Sequence, residues 1–270
     1  MTNDIPSISV ITPSFNQGAY IEQTIQSVLN QNCGQVEHIV MDGGSTDGTV
    51  DILKRYPHLI WRSERDRGQA DALNKGLALA RGAIIGWINS DDYYKEGIFG
   101  SVVRHFESRG ASWVVGRQAQ VFDDESPVVF RDSPKITFDT LVRDPDIVRQ
   151  QAAFYKRSVL NTTGGWNPGC HMAMDYDLWV RLSRFSPPIM VGEDWAFFRI
   201  HAAQKTGQAN ILRQSAEITA ILRREKVAAR LIASHRAKKS WYWMKGVAKE
   251  RLIHLGIVPK RYRGRPIRQV

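Results

Sequence analysis

Asn89-Ser90-Asp91-Asp92 sets two adjacent carboxylates directly after Ala83-Ile84-Ile85-Gly86-Trp87-Ile88, a short apolar run with β-branched residues. Such a run reads as a strand buried on both faces. The carboxyl edge of an open α/β sheet is where ligands bind, and paired hard oxygen ligands there suit Mg2+ or Mn2+ holding a diphosphate. An isolated Asp-Asp pair also fits a polar turn. Two further acids shift the reading. Asp42 opens the turn Asp42-Gly43-Gly44-Ser45-Thr46-Asp47-Gly48, whose glycines allow a ligand close to the backbone. A carboxylate at that strand end can accept the imide N–H of a uracil or thymine ring. Asp175 stands at the start of a helical pattern with Leu178, Trp179 and Leu182 on one face. It suits an N-cap, and a carboxylate held there can also face a cleft. Asp177 reads as first-turn charge set against the helix dipole.

Alternating elements must bring these acids together. Strand patterns at Ile8 to Thr12, Val36 to Met41 and Leu59 to Trp61 interleave with helical ones at Ala19 to Gln31, Thr49 to Tyr56 and Gln69 to Ala80. That alternation predicts a mostly parallel central sheet with helices on both faces. Right-handed crossovers then carry the loops bearing Asp42 and Asp91 to one edge. Further on, the pattern predicts a helix over Ile98 to Ser108, one or two strands within Ala111 to Val121, and a loop-rich stretch over 123–150. A strand at Gln151 to Tyr155 and a helix from Asp175 to Phe185 follow, then a long helix from Ile211 to about Arg236.

Charge divides the chain at the same place. Of its 37 Lys and Arg, 16 lie from Arg213 onward against 3 of its 27 acids, so the preceding residues, with 21 and 24, are slightly acidic although the whole chain stands at +10. A boundary near 210 is expected: a main domain over 1–210, with a first half (1–95) carrying Asp42 and Asp91 and a second (96–210) carrying Asp175, then a basic helical extension over 211–270. Cys33 and Cys170 form no metal-like or disulfide framework. With no signal-peptide pattern and no apolar run of spanning length, a cytoplasmic location is expected. The absence of Gly-Lys-Ser/Thr and of G-x-G-x-x-G disfavours an ordinary ATPase or dehydrogenase.

The motifs together carry a family resemblance. Ile8-Ser9-Val10-Ile11-Thr12-Pro13-Ser14-Phe15-Asn16, the segment Ile21 to Gln31, and Asp42 to Thr49 resemble the opening of family 2 glycosyltransferases. So do Asp66-Arg67-Gly68-Gln69-Ala70-Asp71-Ala72-Leu73-Asn74-Lys75-Gly76, Asn89 to Asp92, and Asp175 to Leu182. The resemblance covers roughly residues 7–205. It implies a GT-A fold and metal-dependent, inverting transfer from a nucleoside-diphosphate sugar. Carried over by position, Thr12, Pro13 and Phe15 line the nucleotide pocket, Asp42 binds the base, Asp71 sits at the donor site and Asp91 near the ribose. Asp92 coordinates Mn2+ or Mg2+, His201 matches a position that approaches the metal or diphosphate, and Asp175 is the general base. The Glu that usually precedes that base is Met174 here, which touches acceptor binding. Gln150 and Gln151 are candidates for contacts with acceptor hydroxyls.

The chemistry supports the carry-over. A departing diphosphate needs its charge stabilised, and an acceptor hydroxyl needs a carboxylate to take its proton. That base must lie across the sugar from the leaving group, hence on a segment other than the metal motif, and single displacement then inverts the anomeric centre. The absence of an Arg-Trp dipeptide and of membrane spans argues for non-processive transfer. The product is expected to be a bacterial polysaccharide, O-antigen or glycolipid, with a sugar or lipid-linked sugar as acceptor. The competing enzyme, a nucleotidyltransferase, would carry a basic glycine-rich loop after the first strand, and Pro13 to Gly18 holds no Lys or Arg. A nucleic-acid-binding protein is suggested only by the tail and leaves the acids unexplained, so no nucleic acid partner is expected. Basic residues interleaved with Trp241-Tyr242-Trp243-Met244 suit a helix lying on an anionic membrane, with packing on the body as the alternative.

Overall fold

The computed structural model describes residues 7–31, 33–34, 36–122, 129–131, 134–201, 204–205 and 210–254. Four parallel strands form its first half: β1 (Ile8–Ser14), β2 (Val36–Asp42), β3 (Ile60–Ser63) and β4 (Ile84–Trp87). They are joined by helices α1 (Ile21–Leu29), α2 (Thr49–Lys54) and α3 (Gln69–Leu79). Register aligns Ser14 with Asp42, and Asp42 with Ser63, so three strands end at one edge. β4 is buried along its whole length, as its apolar run requires. α3 lies hard against β1: a Cβ on Gly76 would stand 2.4 Å from Ile11 Cγ2, so only glycine permits that approach.

The second half continues the same sheet with mixed direction. It contains β5 (Tyr93–Tyr94), α4 (Phe99–Arg109), β6 (Trp113–Phe122), β7 (Phe130–Arg131), α5 (Phe138–Arg143), β8 (Ala153–Lys156), α6 (Arg157–Thr163), α7 (Met174–Ser183) and β9 (Ile189–Ile200). The sheet order is β3-β2-β1-β4-β8-β6-β9-β5, with β7 beside β6. β8 runs antiparallel to β4 and β6, and β9 parallel to β6. Apolar cores lie on both faces, one holding Trp113, Trp166 and Trp179, the other Phe99, Phe154 and Trp195. The α/β architecture with a central sheet covered by helices on both faces is the one expected from sequence.

Two parts differ from the sequence reading. β9, twelve residues long, falls where no strand pattern was evident; Gly192, Glu193 and Asp194 interrupt its apolar run. The long helix expected from Ile211 is two helices, α8 (Ile211–Arg224) and α9 (Ala229–His254), broken where Lys226 adopts φ 56°. Nor is the start of this extension separate from the body. Ile218, Ile221, Leu222 and Ile232 are buried in the core that holds Trp179. Lys238 pairs with Asp144 at 3.0 Å, and Lys239 pairs with Asp146. The expected tail beyond residue 254 lies outside the described residues. Among the described residues no helix is long and apolar enough to cross a membrane.

Candidate active site

A cleft of about 1490 Å³ opens along the strand ends and is lined by Pro13, Phe15, Asp66, Asp91, His201 and Asp175, among others. Its geometry begins at the turn after β4. Asn89 is the hub: its Oδ1 accepts from Trp87 Nε1 at 2.9 Å and Gln69 Nε2 at 2.7 Å. Its amide donates to Asp92 Oδ2 at 3.1 Å and Gln150 Oε1 at 3.3 Å.

This hub gives Asp91 and Asp92 different environments. Asp92 is 1% exposed, does not line the cleft, and accepts from Gln151 Nε2 (2.9 Å), Asn89 Nδ2 and the Arg199 backbone N–H (3.0 Å). Burial, and then the charge of Asp91, push its pKa well up. Asp91 does line the cleft, and its Oδ2 lies 3.1 Å from His201 Nε2. The sequence made Asp92 the expected metal ligand and placed Asp91 near the ribose; here Asp91 is the carboxylate open to the cleft, and three donors hold Asp92 inward.

The Asp91–His201 pair offers Mg2+ or Mn2+ one carboxylate oxygen and one imidazole nitrogen. The carboxylate oxygen suits either ion, whereas imidazole is commoner on softer metals, and cis ligands of an octahedral ion at its usual bond length stand about 3 Å apart. The other ring nitrogen of His201 is buried without a partner. Among the described residues no cluster of three metal-ligating side chains occurs, so phosphate and water would complete the shell, as is usual for Mg2+.

Asp175 lines the same cleft from another segment. It lies in the first turn of α7, not at its cap, and Oδ1 accepts from Tyr176 N–H at 2.7 Å. Burial raises its pKa. The loop before it is fixed from α8: Glu217 accepts from the backbone N–H groups of His171, Met172 and Ala173 at 3.1, 2.7 and 3.0 Å. Asp177, expected to be a dipole partner, is fully buried and pairs with Arg181 at 2.8 Å and Arg224 at 2.6 Å, joining α7 to α8.

Other expected residues divide into those at the cleft and those behind it. Pro13, Phe15, Met174, Gln150 and Gln151 line it. Both glutamine amides are committed inward, however, Gln150 to the Trp87 carbonyl at 2.6 Å and Gln151 to Asp92. Each thereby spends one of its two amide N–H groups bracing the β4 turn. Thr12 is fully buried, its hydroxyl 2.9 Å from His38 Nε2. Asp71 accepts from the Arg67 guanidinium (2.8 Å) and backbone, which holds its carboxyl below the usual range. Asp42, 2% exposed, accepts from Gly44 and Ser45 N–H and from the Ser45 and Ser63 hydroxyls. None of these three lines the cleft, and each is bonded within a turn or strand end beside it.

Sequence reasoning assigned no role to Asp66, Gln69 or Lys205, which do line it. Asp66 Oδ1 takes the N–H of Gly68, which starts α3 at φ 110°. The Asp66-Arg67-Gly68 turn was a visible signal. Lys205 Nζ sits 3.1 Å from Gln69 Oε1, and burial lowers its pKa against the opposing pull of Asp175.

This arrangement defines a GT-A fold. Staphylococcus aureus TarS 1-349, crystallised with UDP-GlcNAc, aligns with 94% of this chain and 77% of its own at TM-score 0.64 and 14% identity. The mannosyltransferase PcManGT of Pyrobaculum calidifontis, solved with GDP-Man and Mn2+, aligns over 88% and 70% at TM-score 0.58 and 20% identity. The chain belongs to glycosyl transferase family 2, whose model matches residues 9–168. The PGL/p-HBAD biosynthesis glycosyltransferase of Mycobacterium bovis BCG is 30% identical over 69% of this chain and 72% of its own. The putative teichuronic acid biosynthesis glycosyltransferase TuaG of Bacillus subtilis is 44% identical over 102 residues, 36% of this chain, and the match spans 40% of that relative's length.

Proposed function

We propose that the protein moves a sugar from a nucleoside-diphosphate sugar, with UDP or dTDP preferred, onto a hydroxyl of a glycan or lipid-linked acceptor, inverting the anomeric centre. Cell-surface polysaccharide or glycolipid assembly is the setting that the relatives' names suggest. The observation that carries this reading is that one cleft is lined by Asp91 with His201 and, from a different segment, by Asp175. Phe15, 60% exposed at the cleft, offers a face to the nucleobase, and Asp66 offers an acceptor for its N–H. Asp42 supports both through the Gly43–Ser45 turn. Asp91 and His201 would hold Mn2+ or Mg2+, which neutralises the departing diphosphate. Asp175 takes the acceptor proton, and its raised pKa makes it a stronger base than an ordinary carboxylate. Lys205 is placed to contribute positive charge beside it.

A panel of nucleotide-sugars tests this by thermal shift and by slow hydrolysis, with and without Mn2+. One or a few donors should stabilise the protein and be hydrolysed only with metal. Equal response to every nucleotide, or hydrolysis indifferent to metal, would remove the reading.

A further inference from the structure

The cleft does not end at Asp175. It runs on to α9, where Lys238, Trp241, Tyr242, Lys245 and Lys249 line its wall. At 100° per residue these positions share one helix face, so the basic stripe faces the cleft. Trp243 and Met244, both exposed, lie on other sides of the helix, and no single apolar face is left for a bilayer surface. Lys238 and Lys239 are answered by Asp144 and Asp146. Lys245 makes no ion pair among the described residues and stacks 3.8 Å over the Trp241 ring. Gly246, buried in mid-helix, also lines the cleft. A glycine there costs about 1 kcal/mol against alanine. Gln118 lines the same cleft at 7% exposure with its Oε1 unpartnered, an acceptor suited to a sugar hydroxyl.

We propose that this face of α9 is the acceptor subsite and that it takes an anionic saccharide. Lys245 and Lys249 hold its phosphate or carboxylate, and the aromatic faces of Trp241 and Tyr242 hold the neighbouring sugar ring. This rests on the transferase reading above and names the acceptor's chemistry. The full chain is titrated at low salt with three probes: a glucuronate-containing hyaluronan tetrasaccharide, geranyl diphosphate, and neutral chitotetraose. UDP binding is followed in parallel. At least one anionic probe should bind tenfold or more tighter than chitotetraose. Lys245→Ala with Lys249→Ala should weaken it at least fivefold, Lys→Arg at both positions should restore it, and UDP affinity should not change. Binding of the tetrasaccharide alone identifies an acidic glycan, and binding of the diphosphate alone a carrier-linked acceptor. Equal binding of chitotetraose, no binding of either anion, or undiminished binding by the Ala pair overturns the proposal. Failure of wild-type protein to bind UDP would instead count against the donor reading.

Discussion

At the scale of single residues, two neighbouring acids separate chemistry from architecture. Asp91→Ala should abolish transfer and Mn2+ binding while leaving the melting temperature nearly unchanged, since its carboxylate faces the cleft. Asp92→Ala strands the Asn89 and Gln151 amides and the Arg199 N–H, and should lower stability by about 1–3 kcal/mol. Calorimetry and metal titration of the pair check this, and the opposite pattern would return the metal to Asp92. For Asp175, burial lifts the folded-state pKa above the unfolded value. Its contribution to stability is therefore complete below the unfolded pKa and lost as pH rises through the folded one. Asp175→Asn, which cannot ionise, should lower kcat about 10²–10⁴-fold with donor affinity kept. It should also melt higher than wild type at neutral pH, a gap that closes in acid. The acid limb of the wild-type rate should lie above the usual carboxylate range. Sequence could propose these acids from their place after apolar runs. It could not tell which of Asp91 and Asp92 faces out, because that depends on a backbone donor 107 residues away.

At the scale of elements, the first three strands and their helices were legible because apolar residues cluster in short runs or recur at helical spacing, and their ends carry Pro13, Gly82 or a glycine-rich turn. β9 was not, since Gly192, Glu193 and Asp194 break the apolar pattern and its register on β6 shifts twice. The break between α8 and α9 was equally hidden. Glu225-Lys226-Val227 contains no helix breaker, yet Lys226 turns out of the helix at φ 56°. One element contact is open to test. Glu217→Ala frees three backbone N–H groups ahead of α7, at a cost of about 1–3 kcal/mol, and loosens the loop that carries Asp175. Reduced stability together with lower kcat at unchanged donor affinity is the expected result. Unchanged kcat would show that the loop holds itself.

At the scale of the whole molecule, the charge boundary near 210 marks a change of composition and not of packing. Ile218, Ile221 and Leu222 complete a core shared with Trp179, and Asp177 is buried against Arg224. A chain ending at residue 210 exposes that core and leaves Asp177 without one of its two cations. It should fail to give a cooperative melt, whereas one ending at residue 254 should retain one. A sharp transition in the shorter chain would restore the two-part division read from charge.

The Glu217 clasp also has a consequence in time. The loop it holds is made 45 residues earlier than Glu217 itself, counting from Met172. At about 5–20 residues per second, the nascent chain carries β1 to β8 and all its cleft acids for seconds before that clasp exists. The protein is thus assembled with its chemistry unfixed until nearly the last helix arrives, and a ribosome stalled in that interval would hold a chain with the site's residues but not the site.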